Sequence, residues 1–491
     1  MRQSFVCGLW FVVCGSFVYG QTAPISPGGG AVTLQPGTGT VQPSAPAAAP
    51  ATESSATTGS GASGLPAADL FVGGFNRFAD PTLESLIQLG MTNSPNLRAA
   101  LSRLEEARIR VRIAQSFLLP SVRSSALITT QSLSEHRPIA IPTVSDQLPR
   151  FQLSTFQLLP VDATYELDLF KRIRGGITVA DLQAQASDAD YRAFRLSLAS
   201  DIARTYLLIR GNDAEQAVFQ RNLLARDTTL SILRERFRVG LINQIDVQRA
   251  ETDYAGLRVT LKGLQRARTE LVNGLAQLCG QDPAAFQVAP GALPATVPTF
   301  PYASLTTDLL LRRPDLQQFA RQIQVVDAQA VVQQATTRPR VNLIGSGGLL
   351  SGRIGPWFAP SSATYLVGVN ASIPLYEGHR NRELVALSRQ QVQTGQQTYQ
   401  QQIQLAQREA ETALDNLALL REQIALQNQT IALARRTEQY NRELYIRGLA
   451  TYLEVLDAQR TILTNEQQLV QLRSQEAQYA VVLLRAVGGD W

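Results

Sequence analysis

The chain repeats itself, and this constrains its fold more than any other feature. Ser94-Pro95-Asn96-Leu97 opens a helical stretch that stops at Leu119-Pro120-Ser121-Val122. Arg313-Pro314-Asp315-Leu316 opens a second, which stops at Arg338-Pro339-Arg340-Val341. In both copies the two prolines stand 25 residues apart. A proline is tolerated in the first turn of a helix and disrupts its interior, so each pair predicts the start and the end of one short helix.

The region after each short helix also repeats. Val161 to Leu169 alternates apolar and polar residues without an error. In the second copy Tyr365, Val367, Val369, Ala371, Ile373 and Leu375 share one strand face, while Thr364, Gly368, Asn370 and Ser372 hold most of the other. Turn-rich middles at 136–150 and 351–362 divide each region into two strands, giving four in the chain. Gly345-Ser346-Gly347-Gly348 falls in a strand region and reads as a bend or loop. Long helical stretches come next, at 171–279 and 378–484. Ile403, Ala410, Leu417, Ile424 and Ile431 recur every seven residues, each followed three residues later by Ala406, Ala413, Leu420, Gln427 and Ala434. That is a coiled-coil seam.

Each long stretch is interrupted once, at Val239-Gly240-Leu241 and at Arg447-Gly448-Leu449. A glycine followed by an apolar residue is the signature of a helix C-terminus. Thr451-Tyr452-Leu453-Glu454 is a capping box that starts the next helix, and Asn243-Gln244-Ile245-Asp246 is a cruder one. The interruptions therefore read as the tips of two helical hairpins. From Lys171 to the first tip the helix would run about 100 Å. Its return helix, residues 243 to 279, is much shorter, and the proline-bounded helix makes up the difference. Each long helix should pack along two shorter ones set end to end.

A four-stranded sheet has open edges and cannot close alone, so several chains must combine. The expected fold is mainly α with a smaller β part: an internally duplicated chain of four strands and two long helical hairpins. Residues 67–289 form the first repeat, with a strand hairpin at about 121–170 and a helical hairpin at about 171–280. Residues 290–489 form the second, with counterparts at about 340–376 and 378–486.

Composition narrows the function. A net charge of +5 spread over 491 residues shows no dense basic patch, so nucleic acid is not an expected partner. Residues 1–20 read as a signal peptide: Arg2, an apolar run from Phe5 to Tyr19, and a cleavage site after Gly20. Val6 and Val13 precede Cys7 and Cys14 where acylation calls for a small residue, so cleavage is favoured over a lipid anchor. Removing the signal leaves Cys279 alone, which excludes an internal disulfide framework. Residues 21–66, rich in Pro, Ala, Gly and Ser, read as a flexible linker. His136 and His379 are the only histidines, and no metal-ligand spacing, phosphate loop or nucleophile elbow is present. No enzyme activity and no cofactor is expected.

The ordered segments FADPTLESLI, NSPNLRAALSRLEEAR with LLPSV, ATYELDLFKRIRGGI, RFRVGLINQIDVQRAET, LLLRRPDLQQFARQI, SIPLYEGHRNREL and YIRGLATYLEVLDAQR resemble the outer-membrane efflux proteins of Gram-negative bacteria, the TolC/OprM/NodT-like outer membrane factors. The resemblance covers about Phe78 to Gly489. It implies a homotrimer whose strands form one twelve-stranded barrel in the outer membrane, continued by a periplasmic helical tunnel. It also implies two partners: a periplasmic adaptor, and an inner-membrane pump of the RND type.

Residue roles derive from the same resemblance. Leu453 would form an apolar constriction and Asp457 an acidic ring, with Glu454 and Asp246 nearby; Arg460 would tether a neighbouring helix. The hairpin tips Val239, Gly240, Leu241, Arg447, Gly448 and Leu449 would dock the adaptor. On the strands, Asp162, Glu166 and Asp168 occupy the polar face and would point into a water-filled lumen. A duct for type I protein secretion is the alternative within this fold. A periplasmic coiled-coil adaptor is the alternative outside it, together with a purely structural coiled coil.

Overall fold

The computed structural model describes residues 74–133, 151–294, 297–298, 311–353 and 355–489. The expected signal peptide, the linker and the turn-rich middle 136–150 lie outside them. A 3₁₀ turn at Phe75–Phe78 leads into α1 (Pro81–Asn93) and α2 (Pro95–Ser116). Strands β1 (Ser121–Leu133) and β2 (Phe151–Leu167) come next, then α3 (Arg172–Arg238) and α4 (Gln244–Leu278). The second copy runs α5 (Pro314–Ala335), β3 (Arg340–Ser351), β4 (Ala363–Ser372), α6 (Arg380–Ile446) and α7 (Tyr452–Ala486). Both short helices start on the predicted proline, and each has 22 residues. The long helices α3 and α6 have 67 residues each, and the return helices α4 and α7 have 35 each. Among the described residues no helix is long and apolar enough to cross a membrane.

The four strands form one antiparallel sheet in the order β1-β2-β3-β4, so β1 and β4 are both edges. Register sorts the side chains by chemistry. Val122, Ala163, Gly345 and Val367 lie in one cross-strand row, and Tyr165, Leu343 and Val369 in another on the same face. The opposite face carries the row Arg123, Asp162, Ser346 and Leu366, and the row Glu166, Asn342 and Asn370. Tyr365, Val367 and Val369 are exposed on β4. The Gly345 to Gly348 run is paired strand within β3 and is not a loop.

The helices form a row. At the sheet end α2 packs on α3, α3 on α5 and α5 on α6; toward the tips α4 packs on α3, α3 on α7 and α7 on α6. Every position of the predicted seam in α6, from Ile403 to Ala434, is buried or half-buried. Polar rungs fix the axial register of α6 against α7. Gln427 Nε2 donates to Asn465 Oδ1 at 2.9 Å, Gln459 Nε2 donates to Glu438 Oε1 at 3.1 Å, and Arg421 pairs with Glu476 at 2.9 Å.

The largest apolar cluster joins the two copies at mid-length. Phe75, Phe78 and Ile87 meet Ile202, Tyr206 and Leu275 of the first repeat, and Leu414, Leu417, Val481 and Leu484 of the second. The buried Tyr206 hydroxyl donates to Asp80 at 2.6 Å and accepts from Arg210 Nε at 2.8 Å, while Arg210 Nη1 donates to the Ala289 carbonyl at 2.7 Å. Tyr206→Phe removes the hydroxyl and leaves Asp80 Oδ2 and Arg210 Nε without the partner they share. It should cost about 1 to 3 kcal/mol and lower the thermal unfolding midpoint followed by circular dichroism. An unchanged midpoint would mean that the network adds nothing to the stability of the first repeat.

Candidate functional site

The site is built by two helix ends and the helices that leave them. At the first tip the Gly240 N–H donates to the Phe237 carbonyl and the Leu241 N–H to that of Arg236, both at 2.9 Å. The second tip repeats the pattern, Gly448 to Tyr445 at 3.0 Å and Leu449 to Leu444 at 2.9 Å. Both are Schellman ends, and each requires the residue after the cap to be left-handed; Gly240 has φ 78° and Gly448 φ 75°. Beyond the glycines, Leu241 and Leu449 are equally exposed, 73% each. Val239 and Arg447 are exposed beside them.

The two tips are one unit. Leu230 and Leu233 of α3, Val247 and Ala250 of α4, and Tyr452 and Leu456 of α7 form a single buried cluster, with Tyr445 of α6 packed on it. The Tyr445 and Tyr452 rings lie 5.9 Å apart, and the Arg236 guanidinium stands 5.9 Å from the Tyr445 ring.

Just above this cluster lies a charged junction. Arg460 Nε of α7 donates to Asp253 Oδ1 of α4 at 2.7 Å, and Arg226 of α3 lies 3.0 Å from the other oxygen of that carboxylate. Arg226 and Asp253 are both buried, their side chains 6% and 8% exposed. Burial pulls the Arg226 guanidinium below its ordinary pKa, and the Asp253 charge opposes that shift. One acid thus holds two cations from two different helices. Arg460 also approaches Asp457 at 3.9 Å, but that contact is solvent-exposed and weak.

The other predicted residues have these places. Glu454 Oε1 accepts from the Thr451 backbone N–H at 3.4 Å and from its hydroxyl at 3.2 Å, so it is engaged in its capping box. Asp246 does not close the corresponding box. The Asn243 side chain caps the Ile245 N–H at 3.4 Å, and Asp246 stands 3.8 Å from Arg249 instead. Leu453 is partly exposed on the first turn of α7, and Asp457 is fully on the surface.

At the other end of the helices, Asp168 lies one residue past the end of β2 and is not a strand residue. Its carboxylate accepts from the backbone N–H groups of Ile173 at 3.0 Å and Arg174 at 2.8 Å, capping the start of α3. Glu166 is gripped by Arg172 through two bonds of 2.8 and 2.6 Å. Of the three acids predicted on the strands, Glu166 and Asp168 are engaged at the strand–helix corner. Asp162 stands opposite Arg123 across the strand pair.

Sequence reasoning missed Asp253 and Arg226. One signal was available: Asp253 comes seven residues after Asp246, which puts both on the same helix face. Among the described residues no cluster of His, Cys, Asp and Glu could hold a metal ion.

This architecture has known counterparts. The chain is 27% identical over 417 residues to the toluene efflux pump outer membrane protein TtgC of Pseudomonas putida, covering 84% of each chain. It is 26% identical over 414 residues to the outer membrane protein OprJ of Pseudomonas aeruginosa, covering 84% of this chain and 85% of that one. The solved outer-membrane channel OprN superposes with a TM-score of 0.77 at 25% identity, over 85% of this chain and 92% of that one. VceC of Vibrio cholerae does so with a TM-score of 0.75 at 25% identity, over 84% and 98%. The profile described as "Outer membrane efflux protein" matches residues 86–281 and 305–489, both repeats in turn, and the chain belongs to that family.

Proposed function

We propose that the protein is the outer-membrane exit duct of a tripartite efflux system that exports small molecules, working as a homotrimer with a periplasmic adaptor and an inner-membrane pump of the RND type. The observation that carries this reading is the amphipathic sheet with two open edges, continuous with a row of helices that also has two open ends. In a bilayer every backbone group must find a partner within the protein. Pairing β1 of one chain with β4 of the next satisfies both edges, and three chains give twelve strands, an ordinary size for an outer-membrane barrel. The Val122–Val367 face would meet lipid, and the Asp162–Asn370 face would line water. Two helical hairpins and a sheet leave the single-hairpin adaptor unsupported, and a purely structural coiled coil has no use for the amphipathic strands.

The tips would dock the adaptor, through the turn backbone at Gly240 and Gly448 and the projecting Leu241 and Leu449. Gly448→Val forces a β-branched residue into a left-handed turn at a cost of about 1 kcal/mol or more. It should lower both export and crosslinking to the adaptor in cells. Unaltered export with unaltered crosslinking would move docking elsewhere.

Around the axis, three Asp457 carboxylates would form the aperture ring, with Glu454 and Asp246 close by. Like charges at roughly 6 to 8 Å repel by about 2 to 3 kcal/mol per pair at an effective dielectric of 20, and salt weakens this. The ring cannot hold the tunnel shut. Closure falls to Leu453 packing and to the Arg460–Asp253 bond, which ties the second hairpin to the first. Asp457→Ala should weaken cation selectivity and divalent block in planar-bilayer recordings. Unchanged selectivity would place Asp457 off the pore. Arg460→Ala should raise single-channel conductance, because Asp253 keeps Arg226 but loses its hold on α7; a conductance equal to that of the unmodified protein would clear the bond of any part in closure.

A further inference from the structure

At mid-length α3, α4 and α7 form a pocket of about 280 Å³. Gly211 of α3 sets its floor: a Cβ there would stand 2.4 Å from the Ser474 hydroxyl of α7, so glycine lets the two helices close. Leu208, Leu271 and Val470 give the pocket an apolar side, and Asn212, Gln471 and Gln475 give it a side of neutral amides. Glu215 is the one charged group among the described residues that line it.

What Glu215 holds sets it apart from the acids around it. Asp213, two residues before it, pairs with Arg268. Glu466 and Glu476 of α7, which bracket Gln471 and Gln475, pair with Arg435 at 2.6 Å and Arg421 at 2.9 Å. Glu215 is half-buried and accepts only from amides, the Nε2 groups of Gln467 and, at 3.4 Å, of Gln471. Both bonds fall on Oε1; among the described residues Oε2 has no donor, and no cation pairs with the carboxylate. A part-buried carboxylate held by neutral groups keeps a charge that only a cation can compensate. The amides that donate through nitrogen keep their oxygens as acceptors.

The pocket is also left open by the chain itself. Arg210 donates to the Ala289 carbonyl, and the Gly291 N–H donates to Asp213 at 3.1 Å, so the segment that joins the repeats crosses that side of α3. Glu215 lies two residues on from Asp213, about 200° round the helix, and Leu208, Gly211 and Asn212 share its side. We propose that this pocket binds a small organic ammonium ion. Its N–H groups donate to Glu215 Oε2 and to amide oxygens of the glutamines, while its hydrocarbon part lies on Leu208, Leu271 and Val470. The cavity is smaller than those that take drug-sized molecules, which limits the ligand to a small amine. All three helices belong to one protomer, so the site does not need the assembly. That its open face lines the tunnel, in the path of an exported amine, rests on the duct proposed above.

Calorimetric titration of the full-length protein, extracted in detergent, tests the site with 2-phenylethylammonium chloride as the probe. The ammonium should bind saturably, and 2-phenylethanol, which has the same body without the charge, should bind about tenfold or more weakly. Glu215→Gln should weaken ammonium binding by a similar factor and leave the thermal unfolding midpoint in place, since a glutamine can still accept from Gln467. No binding, equal binding of ammonium and alcohol, or full binding by Glu215→Gln would each overturn the site. So would binding that survives in Glu215→Gln and disappears in Asp457→Ala, which would put the cation on the tip acids. Native mass spectrometry of the same sample separates this from the duct: three chains without ammonium binding leave the duct standing and remove the site. Ammonium binding that depends on Glu215 in a single chain keeps the site and removes its place in a tunnel.

Discussion

Unpaired backbone at β1 and β4 is the constraint on which the rest depends. Each edge strand presents a row of N–H and carbonyl groups that lipid cannot satisfy, and one face of the sheet is too apolar for water. Neither problem has a solution within one chain. The fold therefore makes sense only as a segment of a larger ring, and the helices obey the same need. A ring of strands must continue into a ring of helices, and each helix must expose two packing faces. On α6 the buried seam is accompanied by Leu419, Leu426, Leu433 and Tyr440, exposed at heptad spacing in a second stripe on its outside.

The tips solve a different problem. A helix of 67 residues must stop abruptly and hand over to one running back beside it. The Schellman glycines do this identically in both repeats, with φ 78° at Gly240 and 75° at Gly448. Above them the repeats diverge. In the second hairpin Glu454 closes its capping box, whereas in the first Asp246 stands against Arg249. Asp253 then becomes the point where both hairpins are tied, holding Arg226 from one and Arg460 from the other. Arg460 is half-exposed at this junction and the buried Asp253 keeps Arg226 when Arg460 is removed, so the tie between the hairpins can break without leaving a buried charge uncompensated.

Local patterns were legible in the sequence because their physics is local. Pro95 and Pro314 marked helix starts, Gly240 and Gly448 marked helix ends, and the heptads of α6 marked the face that α7 covers. Alternation in β2 and β4 marked the two faces of the sheet. What could not be read depends on which helix opposes which. Asp253 lies 207 residues from Arg460, and nothing near either residue names the other. Asp168 looked like one more polar strand position, because alternation cannot tell the last strand residue from the first cap of the next helix. The outer stripe of α6 was hidden for a related reason: the buried seam is the stronger heptad signal on the same helix.

Counting the chains tests the central claim most directly. The protein, extracted in detergent from outer membranes, should show by native mass spectrometry a complex of three chains that survives without crosslinking. A stable, detergent-free single chain in the periplasmic fraction would contradict it, since the edges of β1 and β4 would then have to be satisfied by water.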